Sequence, residues 1–241
     1  MTQASADTRK KTALRTKQAL TGLGVALVSP ILVFVAAVAM RLGVLDASVA
    51  FDFLVLKLAW PLAWLGAAGA LIAVVAAFGA PRRAALPALA AVVVAGVSLA
   101  LFTQYSLRPT GVPADVSTNS MEPPAYPSRT VGLRRAAGAV PLDRWGGGRA
   151  QCPGVVHMPR QVAPGVAAYA LQNAGFTVPG FGVGRADGVR EGFWFGFTHD
   201  AVIRIRPRRT DIRVTARDDR DDRGEACRLA AKIAAGLQRS E

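Results

Sequence analysis

Apolar residues follow two regimes along the chain. Up to about position 105 they run in unbroken stretches, and beyond it they alternate with polar residues. Leu20–Met40 carries no charge and has the length needed to cross a hydrocarbon core of roughly 30 Å at 1.5 Å per helical residue. Leu58–Ala80 and Ala84–Phe102 repeat that pattern, and only Pro81, Arg82 and Arg83 separate them, which predicts a helical hairpin. A cleaved signal peptide competes for the first stretch, because a basic leader precedes it and Ala37-Val38-Ala39 stands near its end. Against that, the run exceeds the roughly 7–15 residues of a signal core, and two further spans follow it. Three transmembrane helices are therefore expected over 20–105, behind a leader at 1–19. Pro30 and Pro61 do not make them a transport pathway, since no ionisable residue lies beside either.

Residues 106–161 are rich in Pro and Gly and lack periodicity, which predicts an extended segment laid over a domain, with Gly146, Gly147 and Gly148 as a flexible point. The domain itself is expected at 162–241. Pro164 opens a short helix that Gly175 ends. Strands are expected at Phe193–Thr198, Ala201–Arg206 and Asp211–Ala216, with Phe193, Phe195, Phe197, Ile203, Ile205, Ile212 and Val214 on one face. A last helix from Arg223 starts with Asp222 and Glu225 at capping-box spacing and carries Ala226, Leu229, Ala230, Ile233 and Leu237 as one apolar stripe. That stripe covers the sheet. The fold class is thus a membrane α-helical N-terminal half joined to a soluble α+β domain, an antiparallel sheet packed by helices.

Charge sharpens the division. The mean hydropathy of +0.29 averages two unlike halves. Between Leu20 and Phe102 the charged residues are Arg41, Asp46, Asp52, Lys57, Arg82 and Arg83, whereas Tyr105–Glu241 holds 20 Lys or Arg against 13 Asp or Glu. Leader residues Arg9, Lys10, Lys11, Arg15 and Lys17, with the Arg82–Arg83 turn, mark the cytoplasmic side. Three crossings then carry the C-terminal domain out of the cytoplasm. There it meets no nucleic acid, and its basic excess fits an anionic lipid surface better.

Asp115–Tyr126 (DVSTNSMEPPAY), Phe193–Arg206 (FWFGFTHDAVIRIR) and Asp211–Gly224 (DIRVTARDDRDDRG) follow a multi-span N-terminus. In these segments the chain resembles the bacterial domain-of-unknown-function family 1499, in a membrane-anchored form. Asp200, Arg204, Asp211, Arg213, Arg217, Asp222 and Gly224 keep that family's pattern. His199 and Asp200 stand where it has paired aspartates, Val214 and Ala216 where it has serines, and Asp219 and Ala226 where it has glycine and asparagine. The resemblance implies an architecture, an inner-membrane protein with a periplasmic domain, and leaves the activity open. Any site built on the missing hydroxyls is in doubt here.

Candidate chemistry is sparse. Cys152, His157, His199 and Cys227 are enough for a tetrahedral zinc site by number, but their spacing matches no common arrangement. Cys152 and Cys227 form either a disulfide, which an oxidising periplasm permits, or two unrelated thiols. Arg217–Glu225 (RDDRDDRGE) lacks the alternating aspartates and distal Glu of a calcium loop and reads as a solvated helix cap. Asp200, Asp211, Arg217 and Asp222 are read as structural polar residues. No catalytic or phosphate-loop motif occurs, and no cofactor is expected.

One functional reading is a membrane-anchored binding or envelope-structural module that meets an anionic lipid, a glycan or an envelope protein. The alternative is a hydrolase or transferase with His199 and Asp200 as an acid–base pair. A ligand site is also expected from the hairpin. If Pro207–Thr210 is a four-residue turn, Arg204 faces Arg213, and a turn at 198–200 brings Trp194 alongside. Opposed cations destabilise a sheet, so Trp194, Arg204 and Arg213 would form an anion site unless acidic side chains pair the arginines internally.

Overall fold

The computed structural model describes residues 2–111, 114–139, 152 and 155–239. They form two compact units, Met1–Leu107 and Arg108–Glu241. The expected flexible point at Gly146–Gly148 lies outside the described residues.

The first unit is helical: α1 (Thr2–Arg41), a π-helical stretch (Ser48–Ala59) that continues into α2 (Trp60–Gly79), and α3 (Pro81–Ser106). Three segments, Arg9–Arg41, Ser48–Gly79 and Pro81–Ser106, are long and apolar enough to cross a membrane. They outrun the expected bounds. Asp52 and Lys57 interrupt the apolar run, yet both are exposed on the helix surface and leave the backbone ladder intact. Buried positions are small, among them Ala26, Ala73, Ala84 and Ala91, while Phe34, Leu65, Phe78 and Leu86 face outward. Small residues inside and large apolar ones outside are what a bundle needs where the surrounding solvent is lipid.

The second unit is a five-stranded antiparallel sheet in the order β1-β5-β4-β3-β2. Its strands are β1 (Asp115–Ser117), β2 (Thr177–Gly182), β3 (Arg185–Glu191), β4 (Thr198–Arg206) and β5 (Arg209–Ala216). Its helices are α4 (Ser128–Ala136), α5 (Pro164–Asn173) and α6 (Glu225–Arg239). Pro164 stands at the start of α5. Gly175, at φ +88°, ends it by the left-handed turn that a Cβ would oppose, and Phe176 N–H then donates to the Leu171 carbonyl at 3.0 Å. The α6 stripe, the α5 residues Ala167, Ala170 and Leu171, and Val116, Ala201, Ile203, Ile205, Ile212 and Val214 from the strands form one core.

Two expectations are corrected. Phe193–Phe197 is the connection between β3 and β4, not a strand, because Gly192 N–H donates to the Phe197 carbonyl and Gly196 turns the chain at φ +70°. Phe193 is 82% exposed, so the aromatic wall expected in the core is absent from it. Its place goes to β2 and β3, whose glycines and short side chains hid the alternation. Gly188 of β3 lies against Leu171 and Phe176, where a Cβ would sit only 3.0–3.1 Å from their side chains. The segment expected to be extended, 106–161, also supplies β1 and α4.

Candidate functional site

Strand alternation divides the sheet into two faces. One carries Ile203, Ile205, Ile212 and Val214 under α5 and α6. The other carries Asp187 from β3, Asp200, Val202 and Arg204 from β4, and Asp211, Arg213 and Thr215 from β5. Residues 119–139, a strap that includes α4, lie over this second face and bond to it repeatedly.

The expected anion row does not form. The hairpin between β4 and β5 closes on Pro207 and Arg208 alone, with Arg206 opposite Arg209. Proline fixes its own φ and Arg208 takes φ 59°, the type II pattern. Compared with a four-residue turn, this shifts the register by two residues. Every side chain keeps its face, but Arg204 now faces Asp211 and Arg213 faces Val202. Trp194 sits in the β3–β4 turn, about 20 Å along β4 from Arg204 at 3.3 Å per residue.

Both guanidinium groups have carboxylate partners. Arg204 donates to Asp211 at 2.9 Å and to the Glu122 carbonyl at 2.7 Å. Arg213 grips Asp115 through Nε and Nη2, at 2.9 and 2.6 Å, and donates to the Pro124 carbonyl at 3.1 Å. Burial opposes the Arg213 charge, but the hydrogen bonds to Asp115 outweigh it and raise its pKa. Tyr126 packs its ring 5.1 Å from the Arg213 guanidinium and donates its hydroxyl to the Asp200 carbonyl at 3.2 Å. Burial first, then the Asp115 charge, hold that hydroxyl well above the ordinary tyrosine range. Glu122 binds Arg206 through both oxygens and is lowered to about 2, chiefly by that hydrogen bonding.

Asp200, Asp211, Arg217 and Asp222 each have hydrogen-bond partners within this unit. Asp200 accepts from Arg217 at 3.1 and 2.5 Å, and Asp211 from Arg204 and Arg209 at 2.9 and 2.8 Å. Asp222 accepts from the Gly224 and Ala226 N–H groups at the start of α6 and lies 3.1 Å from His199 Nε2. His199 and Asp200 are consecutive in β4, so they point to opposite faces and do not converge on one substrate atom. A disulfide joins Cys152 and Cys227, with Cα atoms 5.4 Å apart. Among the described residues no cluster of three or more potential metal ligands occurs.

Sequence reasoning missed Asp115, Tyr126 and Arg134 as partners of this face; Arg134 is 2% exposed and donates to the Ala216 carbonyl and to Asp219. Only the Asp115–Tyr126 likeness drew attention to two of them. It also missed the β2–β3 hairpin. There a groove of about 410 Å³ is lined by residues 180–185 and Asp187. Phe181 and Val183 are 61% and 79% exposed. Asp187 Oδ1 is buried and lies 3.1 Å from Arg185 Nε, with which it forms an ion pair. Burial raises the Asp187 pKa against the pull of Arg185.

No family model, curated protein or solved structure matches the chain.

Proposed function

We propose that this chain is a multi-pass protein of a bacterial inner membrane, with its N-terminus in the cytoplasm and its C-terminal domain in the periplasm as a binding module. The basic leader and the Arg82–Arg83 turn support that orientation. The resemblance of Asp115–Tyr126, Phe193–Arg206 and Asp211–Gly224 to family 1499 supports kinship with membrane-anchored envelope proteins. A carboxyl-terminal alkaline phosphatase fusion is expected to be active; an inactive fusion, with a fluorescent carboxyl-terminal green fluorescent protein, would reverse the topology.

The module recognises an envelope protein through its β2–β3 hairpin. The observation that carries this is the groove along the β2–β3 hairpin at the edge of the sheet, lined by residues 180–185 and Asp187, where Phe181 and Val183 stand exposed. Exposed apolar side chains beside a charged pair are the composition of a recognition surface rather than of a packed core. Pro179 keeps this edge strand from pairing with any passing strand, so contact runs through side chains. Placing a photo-crosslinking phenylalanine analogue at Phe181 in cells is expected to trap one discrete envelope protein, and Asp187→Asn to weaken the product. A crosslink to lipid or glycan alone would reassign the ligand, and equal yield from a reporter at the remote Tyr169 would discard the hairpin.

A further inference from the structure

Within the first unit, α1 and α2 meet through glycine. A Cβ on Gly22 would fall 2.3 Å from the Gly69 carbonyl oxygen, and one on Gly66 would fall 3.2 Å from Ala26 Cα. Such contact brings two backbones together and leaves the larger flanking side chains standing apart. Beside the contact, toward the N-terminal end of α1, two adjoining depressions of about 290 Å³ each open between the helices and share Gln18 and Ile72. One is headed by Lys17 and floored by Val25 and Gly69, and the other is headed by Arg15 and floored by Val75.

The lining changes character along the groove. From Arg15 to Val25 the helix rises about 15 Å, half the thickness of a hydrocarbon core. Over that distance the wall passes from cations, through Gln18 and Thr21, to purely apolar side chains. One leaflet of a phospholipid bilayer has this same profile. Charge complementarity fixes the sign of the headgroup. No Asp or Glu occurs between Thr8 and Leu45, nor anywhere in α2 or α3, so neither helix wall offers Arg15 or Lys17 a carboxylate. Asp7, further out on α1, lies 3.2 Å from Lys11.

The Arg15 head is also held in position. Its guanidinium occupies the space where a side chain at Gly79 would be, since a Cβ there would fall 1.1 Å from Nη1. Gly79 is the last residue of α2, whose C-terminal carbonyls favour a cation. Arg15 thereby bridges the top of the groove from one helix to the other.

We propose that this groove binds one anionic phospholipid from the leaflet on the N-terminal side. Its phosphate sits against Arg15 and Lys17, and an acyl chain runs down the wall formed by Val25, Gly69 and Ile72. This rests on the membrane insertion in the proposed function and is independent of the β2–β3 hairpin. A basic pocket between spans selects a charged headgroup, and each cation near an anionic lipid surface is worth about fivefold in affinity.

The full-length protein, extracted in mild detergent, is incubated with equal amounts of phosphatidylglycerol and phosphatidylcholine, and bound lipid is counted by native mass spectrometry. One phosphatidylglycerol should be retained severalfold over phosphatidylcholine. Arg15→Gln with Lys17→Gln should bring the ratio close to one, while Arg82→Gln with Arg83→Gln, which removes equal charge outside the groove, should leave it unchanged. Gly79→Ala, which displaces the Arg15 head without altering charge, should lower it by a smaller factor. Equal loss in both double variants would assign the preference to a general basic rim and overturn the site. Complete competition by millimolar inorganic phosphate would show a free-anion site and overturn the lipid. Carbonate extraction of membranes separates the two readings: a carbonate-resistant chain without lipid preference refutes the groove alone, whereas a chain released by carbonate refutes membrane insertion and the groove together.

Discussion

Ile203 and Arg213 lie on adjacent strands of one sheet, 0% and 4% exposed, and point to opposite faces. Around Ile203 the helices α5 and α6 supply apolar side chains, while around Arg213 strand β1 supplies a carboxylate and the strap a carbonyl and an aromatic ring. Burial is nearly equal on the two sides, but tolerance is not. Apolar contacts are non-directional, so a well-packed face loses stability in proportion to the atoms removed. A buried ion pair is directional and carries a desolvation cost in each member, so losing one partner strands the other. The strap side is therefore the more specific of the two, and it fixes residues 119–139 to the sheet.

The sharpest test of that contrast is Arg213→Ala, which leaves Asp115 facing a buried void; a loss of about 3–5 kcal/mol is expected by chemical denaturation. Replacing both members, Arg213→Met with Asp115→Leu, should recover most of it, and a double variant as unstable as the single would show that the face is not held by ion pairing. Ile233→Ala on the helix-covered side should cost about 2–5 kcal/mol as a cavity, without any such rescue. Cys152→Ser should cost about 2–4 kcal/mol, because the disulfide restrains the unfolded chain across a sequence separation of 75 residues.

A smaller effect depends on pH. Burial alone would raise the Asp211 carboxyl, but hydrogen bonds from Arg204 and Arg209 outweigh it and hold the group below its ordinary value of 3.8. A carboxyl depressed in the folded state contributes stability that is complete above its unfolded value and is lost as pH falls through the folded one. Melting temperature should thus fall as the medium is acidified below about pH 4, and Asp211→Asn should flatten that limb. An unchanged acid limb would mean that the Asp211 pairs contribute nothing. Smallest of all is Phe193→Ala, at an 82% exposed turn position, where a change within about 0.5 kcal/mol is expected. A loss comparable to Ile233→Ala would return this phenylalanine to the core.

The sequence by itself determined what depends on near neighbours. Uninterrupted apolar runs located the three long helices, Pro164 and Gly175 bracketed α5, and the spacing from Ala226 to Leu237 set the buried stripe of α6. It also assigned the faces of β4 and β5 correctly while missing their register, because a shift of two residues leaves a period-two pattern unchanged. What only the tertiary structure decided are relations between distant segments: Asp115 with Arg213, Tyr126 with Asp200, and the register that gives Arg204 an aspartate rather than an arginine. Strands β2 and β3 were illegible for a related reason. The inward positions of β3 include Ala186 and Gly188, and at Gly188 Leu171 and Phe176 fill the space from the other side. A residue chosen to fit a distant neighbour carries no local periodicity, so only the assembled sheet reveals it.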